Sequence, residues 1–491
     1  MKTLSRRSFI RSSLFATAAL SLPARSWAQV LGANDVVRVA VIGFNGRGKD
    51  HIEGFRDLKG ARVVALCDAD RDVLEREAKK FRDRNEPIAT YTDIRKLLES
   101  KNLDAISIAT PNHWHSLMAI WGCQAGKDVY VEKPVSHNVW EGRQIVEAAR
   151  KYGRIVQTGT QCRSNPGMRE AIQYVRDGHL GKIKLARGLC YKARKSIGKV
   201  SGEQPAPKSV DYDLWTGPAP LEPLRRARLH YDWHWVWPTG NGDVGNQGIH
   251  QMDIARWALG VSELSPRVFS VGGRIGYEDD GTTPNTQFVF HDYKPAPLIF
   301  EVRGLPKARQ YQEGDLWGKN LDNYHGAGVG VVIDGDQGHM VIPSYDGAIV
   351  YDNDWKEVKR FKGGADHYEN FLKAVHSRKA AELNAEILEG HLSSALCHTG
   401  NISHRLGNPA VPEEIRDVLK SNKAATETFE RMAAHLEANG VDLTKTPLTL
   451  GAFLKMDGKK ERFKGNKQAN EMLAREYRKP FVVPKIQNGV A

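Results

Sequence analysis

From Val36 to Gly159 the chain alternates short β-branched runs with helical patterns, and no other feature narrows its fold as much. VVRVAVIG leads into a polar helical stretch, and ARVVALCDAD into the helical run EREAKKFRDRNE. DAISIATP, DVYVEKP and RIVQTG follow, separated by MAIWGCQAGK and EGRQIVEAARKYG. Continuous apolar runs bounded by turn residues read as strands buried on both faces, and the stretches between them keep a helical period. Strand, helix and strand at this spacing make βαβ units, whose repetition gives a doubly wound parallel sheet of the Rossmann kind.

Behind Gly159 the pattern changes to longer strand-like runs with few helices between them, among them KIKLARGLCY, NTQFVFHDY, APLIFEVRGL and VGVVIDGDQGHMVIP. These predict an α+β domain with a large, mostly antiparallel open sheet that keeps one face for a substrate. At 491 residues the chain is long enough for two or three domains of roughly 100–200 residues. The expected division is a leader over 1–29, a nucleotide domain over 30–159, a substrate and oligomerisation domain over 160–408, and an extension over 409–491.

The leader carries Arg6 and Arg7 in the setting S-R-R-x-F-I, then a modest apolar run, then SWA before Gln29. This has the form of a twin-arginine (Tat) export signal, so export to a periplasm is expected. No later apolar run is long enough to span a bilayer, and the mature protein is expected to have no membrane span. The formal charge is +13, of which Lys2, Arg6, Arg7, Arg11 and Arg25 supply five. The remaining excess is dispersed apart from KKERFKGNK near the end, and no nucleic-acid-binding motif accompanies it, so no nucleic acid is expected as partner. The five cysteines have neither metal-ligand nor disulfide spacing, so they read as packing residues and no metal site is expected.

Four motifs carry chemistry. The turn G-F-N-G-R-G places Gly43, Gly46 and Gly48 between the first strand and a helix, where backbone amides can approach a pyrophosphate. The middle glycine of the usual fingerprint falls at Asn45, so the motif is shifted. Asp68 ends the next strand at about the distance expected of the carboxylate that binds ribose hydroxyls. It would repel a 2′-phosphate, which favours NAD, while Arg71 nearby keeps NADP open. Glu132, Lys133 and Pro134 follow the strand VYV, where a lysine faces the ligand crevice and can stabilise an oxygen becoming carbonyl or alkoxide. In GDVGNQGIHQMDIARWALG, Asn246, His250 and Asp253 share one helical face, and His250 has the chemistry of a general base. The aromatic run YDWHWVW just upstream contributes Trp233 and Trp235 as candidate sugar-stacking walls.

The glycine turn, ATPNHWH, EKPVS, QTGTQ and GIHQMDIARWALG together resemble the Gfo/Idh/MocA oxidoreductases over residues 36 to 408. The resemblance implies that Gly43, Gly46, Gly48 and Asp68 bind the nucleotide, and that Thr110, Pro111, Asn112 and His115 pass beside the nicotinamide. It implies that Glu132, Lys133 and Pro134 form the family's EKP element and that His250 is the catalytic histidine. Where the family pattern has an aspartate four residues before that histidine, this chain has Asn246, which can hold neither proton nor charge. A homo-oligomer, built on the open sheet, is also implied.

These readings lead to an NAD(P)-dependent oxidoreductase acting on a secondary hydroxyl of a sugar, polyol or glycoside. Export into a compartment without a free nicotinamide pool requires the cofactor to stay bound. The alternative is a redox-neutral NAD-dependent glycoside hydrolase or lyase that oxidises one ring carbon transiently. A sugar-binding protein without catalysis is a third reading, against which the retained Lys133 and His250 speak.

Overall fold

The computed structural model describes residues 36–364 and 366–487. The export signal expected over 1–29 lies outside the described residues. The nucleotide unit is a six-stranded, wholly parallel sheet of β1 (Val37–Ile42), β2 (Ala61–Cys67), β3 (Ala89–Tyr91), β4 (Ala105–Ile108), β5 (Asp128–Val131) and β6 (Val156–Thr158). Its strand order is β3-β2-β1-β4-β5-β6. The order reverses between β1 and β4, and in such sheets ligands bind beyond the carboxyl ends at that reversal.

Helices α1 (Gly48–Asp57), α2 (Arg71–Asp83), α3 (Asn112–Gln124) and α4 (Val139–Lys151) cover the sheet on its two faces. Capping follows residue type: the Asp70 carboxylate accepts from the amides of Asp72 and Val73 at the start of α2, and Asn138 accepts from Glu141 at the start of α4. One face buries Ile42, Ile106, Ile108 and Val131 against α3 and α4. The other buries Val39, Val41 and Leu66 against Ile52 and Phe55 of α1.

The second unit is built on a twelve-stranded mixed sheet with the order β14-β13-β12-β11-β7-β10-β9-β8-β16-β15 and a short hairpin, β17–β18, joined to β8. Its long central strand β7 (Ile183–Tyr191) pairs parallel with β10 (Leu298–Arg303) and antiparallel with β11 (Val329–Gly335). The remaining pairs, through β8 (Arg267–Gly273), β9 (Thr286–His291), β12 (His339–Ile342), β13 (Gly347–Tyr351), β14 (Glu357–Lys362), β15 (Asn408–Ala410), β16 (Leu448–Leu450), β17 (Leu454–Asp457) and β18 (Arg462–Phe463), are antiparallel. Alternation decides the faces: Val331, Ile333, Met340 and Ile342 meet α5 (Gly248–Leu259) and α6 (Ile387–Arg405) in the main core. Phe269, Phe288 and Phe290 point the other way, onto Phe429, Met432 and Leu436 of α7 (Lys423–Ala438).

The sequence sets residues from 409 onward apart as an extension, and the structure differs. β15, β16 and β17 complete the large sheet, and α7 covers its outer face. On that face Glu301 of β10 sits in an ionic cluster with Arg187 and with Arg431 of α7, and the Tyr191 hydroxyl donates to it at 2.7 Å. Farther on, Phe481, Val483 and Ile486 return to the nucleotide unit and join its core beside α3 and α4. No helix among the described residues is long and apolar enough to cross a membrane. All five cysteines are buried and free.

Candidate active site

The residues singled out in the nucleotide domain stand just past the carboxyl ends of different strands. Gly43 follows β1, Asp68 follows β2, Thr110 lies two residues past β4, and Glu132 and Lys133 follow β5. The parallel topology therefore gathers points scattered over 90 residues of sequence into one crevice. Gly43 has φ +76°, and a Cβ there would meet Thr110 atoms at 2.7–2.8 Å. At Gly48 a Cβ would lie 2.0 Å from the Gly43 carbonyl oxygen, so the turn closes only with glycine in both places.

Gly46 faces open space, and α1 begins without a side-chain cap. Uncapped amides above an unobstructed glycine fit a pyrophosphate. Asn45, at the shifted fingerprint position, turns its carbonyl to the Arg76 guanidinium of α2 at 3.2 Å. The Asp68 carboxylate accepts from the amides of Phe44 at 3.1 Å and Asp70 at 3.0 Å, while burial pushes its pKa up to about 6. The cradle and its carboxylate fit a dinucleotide.

Thr110, Pro111, Asn112 and His115 line the same cavity, with Thr110 against the glycine turn. The ring nitrogens of His115 lie 2.6 Å from the carbonyl oxygen of Pro134 and 2.7 Å from that of Thr110, which fastens the EKP turn to this loop. Glu132 is a junction. It accepts from Arg47 Nε at 3.2 Å and Gln161 Nε2 at 3.0 Å, and it lies 3.2 Å from His51 Nε2. Burial works to raise its pKa, but the bond to His51 and the Arg47 and Lys133 charges hold it well below the usual carboxylate range.

Lys133 and His250 come together across the same cavity, which measures about 650 Å³. The Lys133 ammonium donates to the backbone carbonyl of Asn246 at 2.6 Å, and burial lowers its pKa from the usual lysine value. His250 stands in the first turn of α5, its Nδ1 enclosed without a partner. Burial, and then the Lys133 charge, push its pKa down to about 3. The ring is therefore neutral at neutral pH. Tyr345 packs beside it at 5.0 Å between ring centres, and the Tyr345 hydroxyl is held by Gln247 and Gln251.

Asn246 and Trp233 also line the cavity, whereas Trp235 and Asp253 do not. Trp235 is buried under the guanidinium of Arg194, 4.8 Å from its ring centre. Asp253, one α5 turn beyond His250, is wholly buried in an ion pair with Arg163 at 2.7 and 2.9 Å and accepts from Ser393 at 2.6 Å. It anchors α5 instead of facing the cavity. The sequence reading took the aromatic run from Tyr231 to Trp237 as a candidate wall but did not single out Arg47, Gln161, Tyr345, or the rest of the excursion between β7 and Asn241, which contributes Trp215 and His230. That excursion is tied to the nucleotide unit: Arg71 N donates to the Ser209 carbonyl at 2.9 Å, Asp211 N to Ala69 at 3.0 Å, and His230 Nε2 lies 2.8 Å from Asp70. Its aromatic run was the one usable signal. Among the described residues no group of three or more His, Cys, Asp or Glu is placed to hold a metal ion.

Comparison with known proteins agrees with the fold. The family described as an oxidoreductase family with an NAD-binding Rossmann fold matches residues 37–160, and the C-terminal α/β domain of the same family matches 180–433. The chain belongs to the Gfo/Idh/MocA oxidoreductases. That family assignment makes it an enzyme with an NAD-binding domain, and its second domain reaches into α7, as far as residue 433. Among curated relatives, a glycosyl hydrolase family 109 protein of Shewanella baltica (strain OS185) is 36% identical over 174 residues, covering 31% of this chain and 38% of that protein. A second protein of that name, from Shewanella sp. (strain W3-18-1), is 38% identical over 122 residues, 24% of this chain and 27% of its own length. The matches thus span well under half of these relatives.

Solved structures share the Gfo/Idh/MocA fold. The WlbA dehydrogenase of Bordetella pertussis, crystallised with NADH and UDP-GlcNAcA, aligns with TM-score 0.53 at 17% identity over 74% of this chain and 94% of that one. A levoglucosan dehydrogenase in complex with NADH aligns with TM-score 0.55 at 16% identity over 74% and 95%.

Proposed function

We propose that the protein oxidises a secondary hydroxyl of a sugar, polyol or glycoside with a nicotinamide dinucleotide that it retains. The carrying observation is the single cavity that runs from the glycine turn and Asp68 to Lys133 and His250. A bound nicotinamide would supply the hydride acceptor, and a second sugar or carbonyl compound entering the same site would take the hydride back so that the retained cofactor turns over. His250 takes the hydroxyl proton at Nε2, which requires the tautomer with hydrogen on the enclosed Nδ1. Lys133, fixed by the Asn246 carbonyl, donates to the same oxygen and stabilises its developing charge. The dehydrogenase neighbours with NADH and a sugar nucleotide or levoglucosan in their names support a carbohydrate substrate.

A second reading is favoured by the relatives named glycosyl hydrolase family 109 and by Asn246, which removes a proton carrier from the pair. In it, one ring carbon is oxidised transiently, which acidifies the neighbouring C–H; elimination then expels the leaving group, water adds to the double bond in the hydrolase case, and the hydride first removed is returned, with no net redox. One experiment separates the two. Mature protein, purified without added cofactor, is incubated with a panel of sugars and glycosides, and products are identified by NMR. A keto sugar or lactone establishes the oxidoreductase. A freed aglycone with the nucleotide unchanged establishes the glycosidase. No conversion of any member sinks both.

We read residues 1–29 as a twin-arginine export signal, checked by replacing Arg6 and Arg7 with lysine, which should leave the protein in the cytoplasm. Self-association belongs to the same reading. α7 covers the outer sheet face around β8 and β9, leaving the far strands, where Val358 is 60% exposed, to a second copy. Sedimentation equilibrium tests this.

A further inference from the structure

Tyr231 is held in a conformation that no packing need explains. Asp232 N donates to the His230 carbonyl at 2.8 Å across this single residue, whose φ is +64° and ψ −49°. This is a γ-turn of the rare, strained hand, and a large side chain makes it costlier than glycine would. Such a conformation persists only where its surroundings impose it. Here both neighbours are anchored. His230 lies 2.8 Å from the Asp70 carboxylate, and the buried Asp232 carboxylate accepts from Arg228 at 2.8 and 2.9 Å.

The ring is held from its far end as well. Its hydroxyl accepts from Arg194 Nη1 at 3.2 Å, and Arg194 makes a two-pronged ion pair with Asp243 at 2.6 and 2.8 Å. Arg194 and Asp243 are both buried. Yet Tyr231 itself is 52% exposed on the cavity wall. His234 meets it at 56° with ring centres 4.9 Å apart and Trp235 at 68° and 6.3 Å, so neither lies flat against it. A strained turn, two anchors and a buried ion pair thus present an open aromatic face, which contributes almost nothing to the core.

That face is mechanically connected to the reacting pair. Asn246 Nδ2 lies 3.5 Å from Asp243 Oδ1, and the Asn246 carbonyl holds Lys133. The phenol is therefore joined to Lys133 through Arg194, Asp243 and Asn246 in series, three side chains removed from it while lining the same cavity. Aromatic faces recognise the flat faces of sugar and aryl rings. We propose that Tyr231 is the platform for a second ring carried by the substrate, so that the ligand is a glycoside, a sugar joined to another sugar or an aryl group, in preference to a free sugar or polyol. This rests on the carbohydrate reading above.

The test uses the mature enzyme with its retained nucleotide and a panel of free sugars with their p-nitrophenyl glycosides, followed by saturation-transfer NMR and by turnover. The aryl protons should receive saturation from the wild type and from Tyr231→Phe. They should lose it in Tyr231→Ala and Tyr231→Gly, with affinity for the glycoside falling about three- to tenfold and that for the free sugar unchanged. Tyr231→Gly should also leave the melting temperature unchanged or raise it, because glycine relieves the turn. A structural tyrosine would lower it. Equal aryl saturation in wild type and Tyr231→Ala, alongside normal turnover, overturns the platform and leaves the function standing. If no sugar or glycoside binds or reacts, the functional reading falls and the platform with it.

Discussion

Lys133 keeps its ammonium in a place where burial works against the charge, with one hydrogen bond to the Asn246 carbonyl to hold it. A lysine so placed is poised to give its remaining hydrogens to a substrate oxygen. Lys133→Ala and His250→Ala should each lower kcat by roughly 10²- to 10⁴-fold in steady-state assays, with the nucleotide still bound. Near-full turnover in either variant would sink the assignment. Because burial and Lys133 keep His250 neutral down to about pH 3, kcat/KM should show no acid limb near 6.5, and a limb there would mean that a different base acts. These two residues were legible because each stands in a short motif at a strand end or helix start. Trp235 and Asp253 share the same motifs but face inward. Helical spacing alone could not place Asp253, because its partner Arg163 lies 90 residues away.

The helix α5 shows what an element needs in order to present such a residue. Asp253 is held to Arg163 and Ser393, and Arg256 of the next turn to Glu389 of α6. Asp253→Ala removes the two-pronged partner of the buried Arg163 and leaves it only Glu389 at 3.0 Å, so chemical denaturation should show a loss of up to about 3–5 kcal/mol. His250 would drift with the helix, and turnover should fall with stability. An unchanged midpoint would show that the pair does not anchor α5. The alternating elements of the nucleotide unit were readable from period alone, and so were most strands of the large sheet. The excursion from Lys192 to Asn241 was not. It has a short 3-10 turn, a five-residue helix and little period, and its order comes from tertiary bonds to Asp70, Ala69 and Arg71. Its share of the cavity wall could not be read from spacing.

Among the described residues, burial keeps several histidines neutral, among them His113, His250, His291 and His398 with pKa values pushed down to about 3, and His367 to about 4. The unfolded chain takes up protons on these rings below about pH 6.5, whereas the folded chain does not until far lower. Their contribution to stability is therefore fully present above 6.5 and is lost as pH falls toward 4, by up to about 1.4 kcal/mol per pH unit for each ring. The melting temperature should drop steeply over that window, and a flat profile would contradict it. Truncation after Glu471 removes Phe481, Val483 and Ile486 from the nucleotide core, each worth about 1.5–3 kcal/mol when buried. Calorimetry should show a clear fall in melting temperature, and no change would mean that the tail is not part of the core. The tail's role was hidden in the sequence because isolated apolar residues on an irregular segment carry no period.

That same tail sets an order of events during synthesis. Val37 opens the first strand of the nucleotide unit, yet Phe481, Val483 and Ile486 close its core, more than 440 residues later. A ribosome must therefore extend the chain at least as far as Ile486 before this unit can finish its core, so its sheet is made long before the residues that close it.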